Sequence, residues 1–191
     1  MRINKYNFPG MLVILVCLSV GLACRFTTNV PEKPVETIAV STQAVATLED
    51  KVQETFDQAT KGQTVELSLT EEEVTSLLAQ KINEQGGNLI TDPQVYLRDN
   101  KVQLFGNVQY GKLKVPIQVV LEPRVDTAGR ASLDLISVNM GPISAPDSLV
   151  KTIQDQADQF LNDFLQGSGD SFIVESITVR DGLLTVRGHR P

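Results

Sequence analysis

The sequence predicts an α+β fold in which an antiparallel β-sheet is packed on one face by two to three amphipathic helices. Three observations predict it. Apolar residues recur at three- and four-residue steps in stretches beginning near Ala44, Val74 and Leu149, the spacing of a single helix face. From Gln94 to Met140 the period falls to two, as on strands with one buried and one wet face. Of the 191 residues, 41% are hydrophobic, enough for the packed core of one domain plus its ends.

The domain is expected over residues 43–191. Val45, Leu48, Val52, Phe56 and Ala59 form the apolar stripe of a first helix from Ala44 to Thr60, closed by Lys61-Gly62. Val65, Leu67 and Leu69 alternate with Glu66 and Ser68 in a strand over Thr64–Leu69. Thr70-Glu71-Glu72-Glu73 reads as a capping box, with the acids at the positive end of the next helix. A catalytic carboxylate cluster is the rival reading of these three Glu, but capping accounts for all of them. The second helix carries Val74, Leu77, Leu78 and Ile82 on one face and ends at Gly86-Gly87. The period-two region then contains a turn at Asp99-Asn100, a break at Gly111 and another turn over Asp126–Gly129. The buried parity switches between Leu133/Leu135 and Ile136/Val138/Met140, which predicts a bulge near Leu135 or Ile136. After Gly141-Pro142 and Ala145-Pro146, Asp147 or Ser148 can cap a third helix over Ser148–Leu165, ended by Gly167 and Gly169. Its stripe is Leu149, Ile153, Ala157, Phe160, Leu161 and Phe164. A last hairpin, Phe172–Arg180 and Leu183–Gly188, turns on Asp181-Gly182.

One stretch echoes another. Val95 to Gly106 and Ile177 to Gly188 share an apolar–polar–apolar approach, Arg-Asp, a turn residue, a second strand and a Gly at the same place. Each follows a helix. Two related helix-then-hairpin units and a chance likeness of turns both fit. The two Gly inside strand patterns predict a bend or a close backbone approach.

Ahead of the domain, Arg2 and Lys5 precede an uncharged apolar run from Met11 to Cys24. It is short for a membrane span, which takes about 20 apolar residues, and suits a secretory signal. Its end, Val20-Gly21-Leu22-Ala23-Cys24, resembles a bacterial lipoprotein signal, in which the Cys becomes the lipidated N-terminus. Gly21 departs from the Leu usual at its position. The resemblance implies a signal peptide over 1–23, a lipidated Cys24 and a flexible tether over 24–42, marked by Pro31 and Pro34. A plain signal cut elsewhere and an uncleaved short anchor are the alternatives. The expected location is the cell membrane, lipid-anchored and facing the extracytoplasmic side.

Composition narrows the chemistry. With Cys17 lost and Cys24 acylated, the domain would hold no thiol and no disulfide. One His, His189, leaves little material for a zinc site or a Ser–His triad, and a His so near the C-terminus is expected to fray. No cofactor or metal is expected; Asp155 and Asp158 read as a solvated helix face. Loss of Arg2 and Lys5 would leave 15 basic against 23 acidic groups, a net of −8. That charge argues against nucleic acid and against broad adhesion to anionic lipid.

The order of elements, from the Leu69–Leu78 junction to the hairpins ending at Gly106 and Gly188, resembles small secreted or membrane-anchored bacterial domains distantly similar to tubular lipid-binding (TULIP-like) domains. The resemblance implies long helices against a curved sheet, with an apolar groove able to hold acyl chains. The expectation is a non-enzymatic anchored domain that binds a hydrophobic ligand, with Phe105, Tyr110, Phe160 and Phe164 as candidate lining residues. The alternatives are an envelope scaffold or protein-interaction domain with a solid core and, least favoured, an enzyme.

Overall fold

A computed structural model describes residues 33–59, 61–84, 90–166 and 172–191. The expectations for residues 1–23, Cys24, Gly86-Gly87, Gly167 and Gly169 fall outside these. The elements run α1 (Thr42–Gln58), β1 (Thr64–Thr70), α2 (Glu71–Glu84), β2 (Thr91–Arg98), β3 (Lys101–Tyr110), β4 (Leu113–Val125), β5 (Ala131–Asn139), α3 (Asp147–Gln166), β6 (Ile173–Arg180) and β7 (Leu183–His189). The α+β class and the antiparallel pairing are as the periodicities predict.

The strands form two sheets. The meander is β2-β3-β4-β5, and a smaller sheet has the order β1-β7-β6, so β1 pairs with the closing hairpin. Between β4 and β5 the register slips where Val120 faces Ser137 and Leu121 faces Leu135. Ile136 is therefore the extra residue of a bulge, at the place the parity switch predicts.

The helix starts follow from hydrogen-bond chemistry. Ser41 Oγ accepts from the Ala44 N–H and begins α1 two residues earlier than its apolar stripe suggests. At α2 the capping box is reciprocal: the Glu73 N–H donates to Thr70 Oγ1 at 3.2 Å and the Thr70 N–H donates to Glu73 Oε2 at 2.8 Å. α3 starts at Asp147, and the Pro146 carbonyl accepts from the N–H groups of Leu149 and Val150.

The two echoing stretches are structural equivalents. Asp99 and Asn100 in one hairpin, and Asp181 and Gly182 in the other, all have positive φ, between 50° and 82°, the geometry of a type I′ turn. The turns dock on each other reciprocally. The Asn100 N–H donates to the Val179 carbonyl and the Gly182 N–H donates to the Leu97 carbonyl, both at 3.1 Å. Asn100 Oδ1 also accepts from the Val179 N–H. Both ladders are irregular opposite the matching Gly, between Thr91 and Gln94 and between Val174 and Ser176. A Cβ on Gly106 would lie 2.5 Å from Ile90 Cγ2, and one on Gly188 would run into the Ile173 carbonyl oxygen.

The back face of the meander is not uniformly wet, as strict alternation would have it. Tyr96 and Phe105 are buried there, their rings edge-to-face at 5.6 Å, beside buried Gln94. Residues 36–41 cover them, so the last part of the expected tether is seated on the domain. The Ile38 N–H donates to Gln94 Oε1 and Gln94 Nε2 donates back to the Ile38 carbonyl. Tyr96 Oη donates to the Glu36 carbonyl, and the Ser41 N–H donates to Ser76 Oγ.

Candidate functional site

The core above the meander is not closed by its helices. α2 packs on β2 and α1, and α3 packs on β5. The gap between α2 and α3 is a cleft floored by the sheet. On α2 the deepest residues are small or polar: Thr75, Ser76 and Ala79 are buried, and Thr75 Oγ1 accepts from the Val95 N–H. The aliphatic stripe Val74, Leu78 and Ile82 is turned to the cleft and only half-buried. On α3, Ile153 is buried, whereas Ala157, Phe160, Leu161 and Phe164 are half-buried.

Three adjoining compartments make up the cleft. The outer one is about 300 Å³ and combines Leu77, Leu78, Ile82, Phe160 and Phe164 with a polar rim that includes Lys81, Gln156, Gln159 and Asp163. A second, about 130 Å³, reaches the sheet at Val102, Leu104, Val119 and Leu121. The third, about 90 Å³, runs towards β1 and β7 and is lined by Leu69, Leu77, Phe164, Leu184 and Val186 among others. Phe160 borders all three.

The four candidate lining residues therefore separate. Phe160 and Phe164 line the cleft. Phe105 does not: odd positions of β3 point to the back face, where it stacks on Tyr96 and is 3% exposed. Tyr110 does not either. It is 46% exposed at the tip of the β3–β4 hairpin and lines none of the three compartments. Val74, Leu78 and Ile82 were legible as a helix face, but nothing in their spacing tells a packed stripe from one that looks into a gap.

Two of the three acids, Glu71 and Glu73, make structural contacts. Burial pushes the Glu73 carboxyl up, but hydrogen bonds from Lys51 Nζ and the Thr70 N–H, with the Lys51 charge, outweigh it and hold the group below its ordinary value. Glu71 accepts from the Leu97 N–H at 2.7 Å and pairs with Arg98, while its own N–H donates to the Gly182 carbonyl. It thereby ties the start of α2 to both I′ turns. His189 is not frayed: it ends the central strand β7, between Thr64 and Ile173. Its Nδ1 lies 2.7 Å from Glu175 Oε1, which also accepts from Thr64 Oγ1. The carboxylate stands between the hydroxyl and the imidazole, so the ring is not placed to take the hydroxyl proton as a triad His would.

Among the described residues no cluster of three or more His, Cys, Asp or Glu is arranged to hold a metal ion. None of the described helices is long and apolar enough to cross a membrane. The site is thus an interhelical apolar cleft with a polar rim, on an α+β domain. No known family model matches the chain, and no curated protein matches it either.

Proposed function

We propose that this chain is a membrane-anchored, extracytoplasmic domain that binds the apolar part of a lipid or similar amphiphile in the α2–α3 cleft. The observation that carries the reading is the facing pair of half-covered stripes, Val74/Leu78/Ile82 and Ala157/Phe160/Phe164. Apolar side chains left partly unpacked forfeit both burial and dispersion contacts, and a ligand tail would restore both. The outer compartment reaches the lower end of the range for small-molecule sites, about 300–1,000 Å³. Its grading, from a rim of Lys81, Gln159 and Asp163 to aliphatic inner compartments, suits a ligand with one polar end. Anchoring through Cys24 is supported by the leader, and would hold the cleft within reach of a lipid source.

Protein produced without residues 1–24 provides the test. Gentle extraction and mass spectrometry should find co-purified lipid, and stripped protein should take up a fluorescent fatty acid that unlabelled lipid displaces. No bound lipid and no uptake would overturn the reading in favour of a scaffold with a solid core.

A further inference from the structure

We propose that the cleft selects its ligand by the head: it takes an amphiphile with an uncharged, hydroxyl-bearing head, such as a glycerol or a sugar, in preference to an anionic one. The inference deepens the reading of the α2–α3 cleft given above and rests on it.

Two helix ends border the outer compartment. Lys81, Ile82 and Glu84 come from the last turn of α2, and Asp163 and Phe164 from the last turn of α3. The last four carbonyls of a helix have no partner within it and carry the negative end of its dipole. A base in the last turn offsets that charge. Lys81 is the only one in α2, and α3 has none.

Lys81 is already engaged. Its Nζ lies 3.2 Å from Glu84 Oε2, and Glu84 Oε1 accepts from Gln80 Nε2 at 2.7 Å. The charges of Lys81 and Glu84 therefore offset each other. Asp163, on the facing helix, is exposed, and among the described residues no hydrogen bond or ion pair reaches it. One base against two acids leaves the compartment negative, and the two dipole ends add to this. Gln156 and Gln159 border the same compartment, and with Asp163 they follow at steps of three and four along one side of α3. They too are exposed and without a hydrogen-bond partner among the described residues. The three side chains thus make an unpaired polar edge beside the half-buried Phe160 and Phe164.

The hydrogen-bonding capacity of that edge selects the head. An ionised carboxylate only accepts, whereas a glutamine amide both donates and accepts. A matching head must donate to Asp163 and exchange hydrogen bonds in both directions with Gln156 and Gln159. A hydroxyl does both. An ionised carboxylate or phosphate head only accepts, so it leaves Asp163 unmatched and brings a like charge towards it. A quaternary ammonium meets the charge but has no hydrogen to donate and no lone pair to accept with. Uncharged hydroxyls alone suit all three side chains. A fatty acid still enters by its tail, so the head sets how tightly an amphiphile is held rather than whether the cleft fills.

The test uses the full chain mixed with phosphatidylcholine vesicles that hold single-tailed amphiphiles able to exchange through water. All share one tail bearing a photoreactive diazirine and stand at the same mole fraction in the bilayer. Their heads are glycerol, glucose, an ionised carboxylate or trimethylammonium. Mass spectrometry measures the cross-linking of each to peptides of α2 and α3. The glycerol and glucose heads should give yields several-fold above the carboxylate, and added salt should narrow the gap by screening. Asp163→Asn should raise the carboxylate yield several-fold. Gln156→Ala/Gln159→Ala should lower the glycerol and glucose yields more than the carboxylate yield. All three positions are exposed, so the substitutions spare the core. A carboxylate yield equal to that of glycerol, or unmoved by Asp163→Asn, overturns the selection by head and leaves the cleft reading standing. A yield highest for trimethylammonium shows that the cleft reads charge alone and overturns the hydroxyl assignment. Cross-linking of no head to α2 or α3 overturns the cleft reading as well.

Discussion

Phe160 borders every compartment of the cleft, whereas Phe105 is 3% exposed against Tyr96 on the far side of the sheet. Phe105→Ala should cost about 3–5 kcal/mol of stability, the usual range for a buried ring, and leave fatty-acid uptake unchanged. Phe160→Ala should cost less, because its ring is half-buried, but weaken uptake severalfold. Urea unfolding and probe titration on the two variants check this opposite ranking. Glu73 carries a pH dependence of definite sign. Its folded-state pKa lies below the ordinary 4.5, because the Lys51 and Thr70 interactions outweigh burial. Its contribution is therefore complete above that value and is lost as the pH falls through the depressed one. Glu73→Gln should lower the unfolding free energy at pH 7, measured by urea titration, by about 1 kcal/mol as capping variants do. Its deficit should shrink as the pH falls below 4.5.

The echoing hairpins make the comparison for whole elements. Each has an I′ turn, a bulge and a Gly that lets the bulged strand close in, yet the two Gly meet different obstacles. At Gly106 a methyl group would press on the Ile90 side chain, which can rotate. At Gly188 it would press on the Ile173 backbone carbonyl and the Phe172 ring, which are held by the ladder and by the edge-to-face contact with Phe56. Gly188→Ala should thus be the more damaging, with overpacking of this kind typically costing about 1–3 kcal/mol; thermal unfolding of both variants decides. The hairpins, their turns, the α2 capping box and the Ile136 bulge were all legible because each is written locally, in alternation, in Asp-Gly or Asp-Asn, in Thr-x-x-Glu. The pairing of β1 with β7 was not, since no local rule joins Thr64 to His189 across the length of the domain. Nor was the seating of residues 36–41, which depends on a buried Gln94 that reads in sequence like any polar strand residue.

For the molecule as a whole, an occupied cleft should be a more stable one. A ligand that binds only the folded form adds about 2.7 kcal/mol at a free concentration a hundredfold above its Kd. Fatty acid should therefore raise the unfolding temperature of the intact domain, and raise that of Phe160→Ala by less at the same concentration, as a calorimetric scan would show. By itself the sequence determined the α+β class, nearly every described element and the turn chemistry, because these follow from short-range periodicity and from residue type. Only the tertiary structure decided that α2 turns Thr75, Ser76 and Ala79 inward and leaves Val74, Leu78 and Ile82 facing Phe160 across a gap. It alone put Phe105 behind the sheet and Tyr110 at its tip. The physical reason is that burial belongs to the space between elements: a stripe states what a helix would cover, and the distance to the next helix states whether it is covered.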